Sequence, residues 1–395
     1  MALGCGGGLA QTDREQRFFE ERVKADPQDF LAWNRLGDVY LLRERRSGDM
    51  AWLARADEAA GASLRAVASE FNPAGLSLRA RVDMAQHRFA AARDHAKELL
   101  AVQPGGALAT LGDALLELGE LDEAAEFFAR LAEAQNGSVA AESRLARLAW
   151  LRGQHEEARA HFGAALKAAQ AAIPPVPLTE AWCGVQLGEL AFRTGRWDDA
   201  EAAYHAAAEA LPDWWSTVEH LAEFEGARGH DAEAVALYEQ AIKNAPRPEL
   251  WQALGDFHAF MKRPDAAKPC QEKALAGYRA SLDRGEVLYV HHLAGFYADS
   301  QENATEAVIY ARRDLELRHG GYAQDALAWA LYRQSDFPAA LDAAKQALAT
   351  GLADPHVLYH AAMIHLSAGD IAAGQGLLKR CAEVNPHFNA FHVHR

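Results

Sequence analysis

The sequence predicts an all-α solenoid of about ten helix-turn-helix repeats. Half of the 395 residues are apolar, alanine dominates them and β-branched residues are scarce. Alanine is the best helix former and is small enough for helices to pack closely. In addition, an apolar pattern at helical spacing returns every 34 residues, and self-similarity at that period marks a repeat array in which each unit buries its apolar face on its neighbours.

The period is clearest in the middle of the chain. Ala124, Phe128 and Leu131 lie at i, i+4 and i+7, on one helical face, and Ala158, Phe162 and Ala165 repeat that face 34 residues later. Gly112 maps in the same way onto Ala146, and the turn residue Gly119 onto Gly153. The frame returns at Ala200, Tyr204, Ala207 and Pro212, then at Ala234, Tyr238, Ala241 and Pro246. The prolines stop the second helices, because proline lacks an N–H and disfavours a helical residue before it. A small residue marks the first helix of each unit. These markers are Gly37, Ala80, Gly112, Ala146, Gly188, Ala222, Gly255, Ala294, Ala328 and Ala362, with the first two units and the eighth degenerate. Two stretches exceed the period. One is Arg43 to Trp52; the other is the proline-rich insertion 166–178, read either as a lengthened helix and stiff loop or as a mild break between subdomains.

Trp33, Leu36, Gly37 and Tyr40, and again Trp251, Leu254 and Gly255, precede the column of aromatic, alanine and closing proline. This combination resembles the tetratricopeptide repeat, over a solenoid spanning 12–395. The C-terminal units are similar to those of bacterial, often exported tetratricopeptide proteins of unassigned role. The resemblance implies a right-handed superhelix and a non-catalytic scaffold that binds a peptide or partner protein in its concave groove. Residues 1–11 read as a flexible glycine-rich start. Within them, Leu3-Gly4-Cys5 ahead of Gly6-Gly7-Gly8 resembles the end of a lipoprotein signal without its charged and apolar regions. Cys5 is then a candidate lipidation site and the bacterial envelope the expected location, the alternative being a cytoplasmic protein with a loose start.

Several function classes are excluded or left without support. A net charge of −15 disfavours nucleic acid, whose phosphates need clustered Lys and Arg, and disfavours anionic membrane surfaces. No apolar run is long enough to span a bilayer. Cys5, Cys183, Cys270 and Cys381 form no C-x-x-C pair; the last three read as small core fillers. No phosphate loop occurs, since Gly6-Gly7-Gly8 lacks the lysine, and no G-x-S-x-G elbow occurs. His155 and His161 are six apart, where a helical zinc pair needs four. The expectation is therefore no enzyme and no cofactor.

In the family that the chain resembles, the first helices line the concave face. Carried onto this sequence, that stripe comprises Glu219, His220, Glu223, Glu249, Gln252, Asp256, His291, Asp325, Trp329, His356, Tyr359 and His360. An acidic groove with aromatic platforms suits a basic or amphipathic peptide. A second reading is a metal-handling protein. More than half of the 17 histidines follow residue 250, including His291 with His292, His356 with His360 and His392 with His394. Imidazole beside carboxylate suits a divalent transition metal such as Zn, Ni or Cu. Homo-oligomer formation is left open. The tail residues Phe388, Phe391 and Val393 are expected to fold back on the last helix pair or onto a partner chain.

Overall fold

The computed structural model describes residues 4–389 and Phe391, with side chains described from Gln11 onward. Among these residues there are 21 α-helices and no strand. Helix α1 (Gly4–Ala25) is followed by ten hairpins. Their first helices are α2 (Phe30–Ser47), α4 (Pro73–Ala85), α6 (Pro104–Glu117), α8 (Val139–Leu151) and α10 (Pro177–Arg193), then α12 (Trp215–Ala227), α14 (Pro248–Phe260), α16 (Val290–Gly295), α18 (Gly321–Arg333) and α20 (Pro355–Ser367). Their second helices are α3 (Ala51–Ala66), α5 (Phe89–Val102), α7 (Leu121–Ala134), α9 (His155–Gln170) and α11 (Trp197–Ala210), then α13 (Asp231–Asn244), α15 (Pro264–Asp283), α17 (Ala304–Leu317), α19 (Phe337–Leu348) and α21 (Ile371–Val384). All ten marker residues fall on first helices. The degenerate eighth unit differs most: α16 is short and runs into a π-helical turn at Phe296–Ser300.

Every hairpin reverses through one residue with left-handed backbone: Gly48, His87, Gly119, Gly153, Gly195, Gly229, Lys262, Glu302, Ser335 and Gly369. A helix closed by such a residue satisfies its last carbonyls while the chain turns back. Within the hairpins the small column does what the period implies. A Cβ on Gly112 would sit 2.3 Å from Phe128, and one on Gly188 2.5 Å from Tyr204. Ala124, Ala158, Ala200 and Ala234 are fully buried beside Phe128, Phe162, Tyr204 and Tyr238.

The chain divides into two units. The first comprises the chain up to Leu115 together with Asp122–Ala134. Its core gathers Leu36, Tyr40, Leu53, Leu78 and Val82. The extra residues after Arg43 lengthen α2 and α3, and Trp52 stacks on Tyr40 at 5.7 Å. Helix α1 already includes residues 4–11, where the sequence predicts a flexible start. Cys5 lies in the part of α1 whose side chains are outside the described residues.

The second unit comprises Leu116–Leu121 and the chain from Gln135. The division therefore falls near residues 116–135 and not at the proline-rich insertion. The insertion is absorbed by longer helices: α9 and α10 still pack through Ala165, Ala169 and Cys183, and Ile173 projects into solvent in the short connection between them. Later hairpins of this unit return to its earlier ones. The turn at Gly119 meets the backbone of His319, the turn at Gly153 meets Gly351 and Ala353, and Gly195 meets Asn385 and Pro386. Arg318 approaches Glu117 at 3.7 Å, and Asn385 Nδ2 donates to the Phe192 carbonyl at 3.4 Å.

The tail completes this seam. His387 packs on Trp197 at 4.5 Å and Phe388 stays on α20 against Tyr359. Phe391 crosses to the middle hairpins, where it is buried against Phe257 and Phe260. The expected fold-back onto the last helix pair holds for Phe388 alone, because the apolar slot between Gly226 and Phe257 lies across the seam. Val393 lies outside the described residues. No helix among the described residues is long and apolar enough to cross a membrane.

Candidate functional site: an acidic interior pocket

The first helices of the second unit line a pocket of about 450 Å³. Helix α10 contributes Arg193, α12 Glu219 and Glu223, and α14 Glu249, Gln252 and Asp256. His291 and His292 come from α16, Asp299 from the π turn, and Tyr322, Asp325 and Trp329 from α18. Asp354, His356 and His360 close the far wall, with Asn385 and Phe388 of the tail at its edge. The spacing explains the convergence: Glu219 and Glu223 stand at i, i+4, and Gln252 and Asp256 do the same one hairpin later, so each pair shares a helical face.

The walls are joined across the pocket. Arg193 spans from Glu189 (3.1 Å) to Asp354 (3.2 Å). Asp354 also accepts from the Tyr322 hydroxyl at 3.2 Å and caps α20 through the His356 amide at 2.9 Å. Burial opposes ionisation of Asp354, but Arg193 and the hydrogen bonds outweigh it and hold its carboxyl below the usual range. Asp325 accepts from His360 Nδ1 at 2.9 Å. Burial works against a charged His360, yet Asp325, Asp299 and Asp354 raise its pKa.

Trp329 is not a platform. Its ring is stacked on His360 at 4.1 Å and on Tyr332 at 4.8 Å, and its indole N–H donates to Asp299. The aromatic surface expected in the groove is thus consumed by ring-on-ring packing. Elsewhere in the pocket the Ser300 hydroxyl donates to Asp256 (2.7 Å), and Tyr278 donates to Gln252 (2.7 Å). Arg247 pairs with Glu249.

Two stripe residues do not line the pocket. His220 lies behind Glu219, bonded through Nδ1 to Glu219 (3.1 Å) and the Ser216 carbonyl (2.8 Å). Burial disfavours its charge, but Glu219, Glu189 and Glu223 push its pKa up to about 10. Tyr359 packs beneath Phe388.

Among the described residues, His291, His292, His356 and His360 are not part of a group of three close donors. His291 Nδ1 is held by the buried Asp314 at 2.7 Å, and burial pushes His292 down to about 4. The ring centres are 6.2 Å apart for His291 and His292, and 5.5 Å apart for His356 and His360. The group that brings three donors together is Glu225, His230 and Glu233, at the turn between α12 and α13, where Glu225 is engaged by His230 and by Arg228 at 3.6 Å. His392 and His394 lie outside the described residues.

Sequence reasoning missed Arg193, Asp299 and Asp354. Asp354 precedes Pro355 and reads as an ordinary helix cap, which it also is. Arg193 ends α10, one hairpin before the stripe that the resemblance implies.

A family profile described as "Tetratricopeptide repeat" matches residues 77–139, 185–247 and 326–380, and a second of the same description matches 248–276. Together they cover more than half of the chain. A solved tetratricopeptide repeat protein from Parabacteroides merdae is 18% identical with a TM-score of 0.42; the match covers 60% of this chain and 93% of that one. The human IFIT1 dimer with PPP-AAAA is 13% identical with a TM-score of 0.48, over 93% of this chain and 94% of the other. Comparison with curated protein sequences gives no match.

Proposed function

Because this chain belongs to the tetratricopeptide-repeat family, we propose that it is a non-catalytic interaction scaffold that holds a basic segment of a protein partner on the acidic inner face of its second unit. The observation that supports this reading is the charge of the pocket wall. Seven carboxylates line it (Glu219, Glu223, Glu249, Asp256, Asp299, Asp325 and Asp354) against the one arginine, Arg193, among the described lining residues. Such a concave surface focuses its field on approaching cations and repels acidic chains. Repeat scaffolds commonly bind through this kind of extended inner surface.

The test uses the full chain and a labelled peptide series graded from acidic to basic. Basic peptides should bind, and binding should weaken as salt rises, because exposed charge pairs are screened. Reversing Glu219, Glu223 and Asp256 to Lys should lower affinity at least about tenfold, equivalent to about 1.4 kcal/mol, with helicity by circular dichroism retained. Unchanged affinity in that variant, or a preference for acidic peptides, would place the partner elsewhere.

A further inference from the structure

Resting on the scaffold reading, we infer that the pocket is a receptor for a compact organic cation, a guanidinium or primary ammonium on a short aliphatic stem. Size comes first. At about 450 Å³ the space falls in the range of small-ligand sites, roughly 300–1,000 Å³. It is bounded on one side where Arg193 joins Asp354 and Asn385 reaches the Phe192 carbonyl. Those bonds hold α10 against the start of α20 and the tail, so that side admits an inserted group and not a passing extended chain.

The polar atoms define what enters. The second carboxylate oxygen of Glu249, buried in the pocket wall, receives no hydrogen bond from the protein. A buried acceptor left unmade costs free energy that a ligand N–H recovers. The orphan Glu249 oxygen accepts, and a guanidinium or ammonium brings several donors and no acceptor. Glu219 and Asp256 each carry a protein partner on one oxygen, but a carboxylate offers about four lone-pair sites, so they keep capacity for more.

The apolar part of the wall sets the stem. Ala253, Ala294, Ala298 and Ala326 present small methyl surfaces between the charged groups. The aromatic part sets an exclusion. A quaternary ammonium is recognised on open aromatic faces, whereas both neighbours of Trp329 in its stack are already in place. The pocket therefore selects a cation by its N–H donors.

The experiment is calorimetric titration of the full chain at fixed ionic strength with agmatine, with choline, and with a blocked arginine (N-acetyl, N-methylamide). Agmatine should bind with sub-millimolar affinity and choline at least tenfold more weakly. Glu249→Gln should weaken agmatine several-fold while the melting curve keeps its shape. Blocked arginine binding as tightly as agmatine assigns the pocket to a partner's side chain; agmatine binding alone assigns it to a free amine. No heat with either guanidinium probe, equal binding of choline, or indifference to Glu249→Gln overturns the inference. If the small cations fail while basic peptides still bind in a charge-dependent way, the pocket assignment falls and the scaffold reading stands. If agmatine binds and basic peptides do not, the reverse holds.

Discussion

Two turn glycines separate local strain from long-range contact. Gly153 and Gly229 both have left-handed backbone, with φ of 71° and 81°. A Cβ on Gly229 would meet nothing within 4 Å, whereas one on Gly153 would lie 2.4 Å from the Gly351 carbonyl oxygen. Gly229→Ala should then cost only the conformational penalty, about 1–2 kcal/mol. Gly153→Ala carries the same penalty and also forces the seam apart, so its melting temperature should fall at least twice as far. Equal shifts in a thermal melt would mean that the seam does not form in solution. The turn itself was legible, since Gly119 and Gly153 share a register of 34. Its partner was not, because a repeat period reports neighbours along the array and says nothing about which distant turn a glycine touches.

At the scale of elements, the tail behaves as a strap built from one aromatic anchor. Phe391 is 3% exposed and meets Phe257 at 6.0 Å and Phe260 at 5.7 Å, edge to face. Truncating a buried Phe to Ala commonly costs about 3–5 kcal/mol. Phe391→Ala should lower stability by an amount in that range, about 3 kcal/mol or more, read as the midpoint of a guanidinium titration of the full chain. An unchanged midpoint would show that the strap adds nothing. The amphipathy of the last residues announced burial, and it did so correctly for Phe391. The choice of surface depended on an empty slot beside Gly226, which side-chain alternation in the tail cannot encode. The same holds in the pocket: the first-helix stripe put Glu219, Glu223 and Asp256 on one inner surface, while the pairing of Arg193 with Asp354 is a tertiary event outside the period.

For the molecule as a whole, the pH dependence of stability includes buried histidines of opposite sense. His220 is raised to about 10. Its contribution is complete below the unfolded value near 6.5 and is lost as pH rises through 10. His292 is lowered to about 4 by burial, with His291, Arg247 and Arg318 acting in the same direction and Glu249 opposing. Its unfolded form takes up a proton near pH 6.5 while its folded form resists, so stability falls as pH drops from 6.5 toward 4. His155 and His258 are lowered by burial in the same sense. By pH 4.5 the His292 share should be roughly 2–3 kcal/mol, at about 1.4 kcal/mol per pK unit. His292→Gln should flatten the decline of melting temperature between pH 6.5 and 4.5. A slope identical to that of the parent protein would remove this residue from the acid response.

The seam also changes what kind of folding object the second unit is. An open repeat array is nearly one-dimensional: its ends fray first, and each unit's fate depends on its neighbours alone. Here Asn385 bonds to Phe192 across 193 residues, so the last hairpin is also a neighbour of the fifth. Bringing such distant segments together costs about 5 kcal/mol of chain entropy, recovered only when the intervening hairpins are already in place. Closure should therefore come last in folding, turning a ladder that would melt rung by rung into a unit whose distant hairpins protect each other. Fraying from the C-terminus then requires opening the pocket wall at Arg193 as well, which ties the lifetime of the binding surface to the cooperativity of the whole unit.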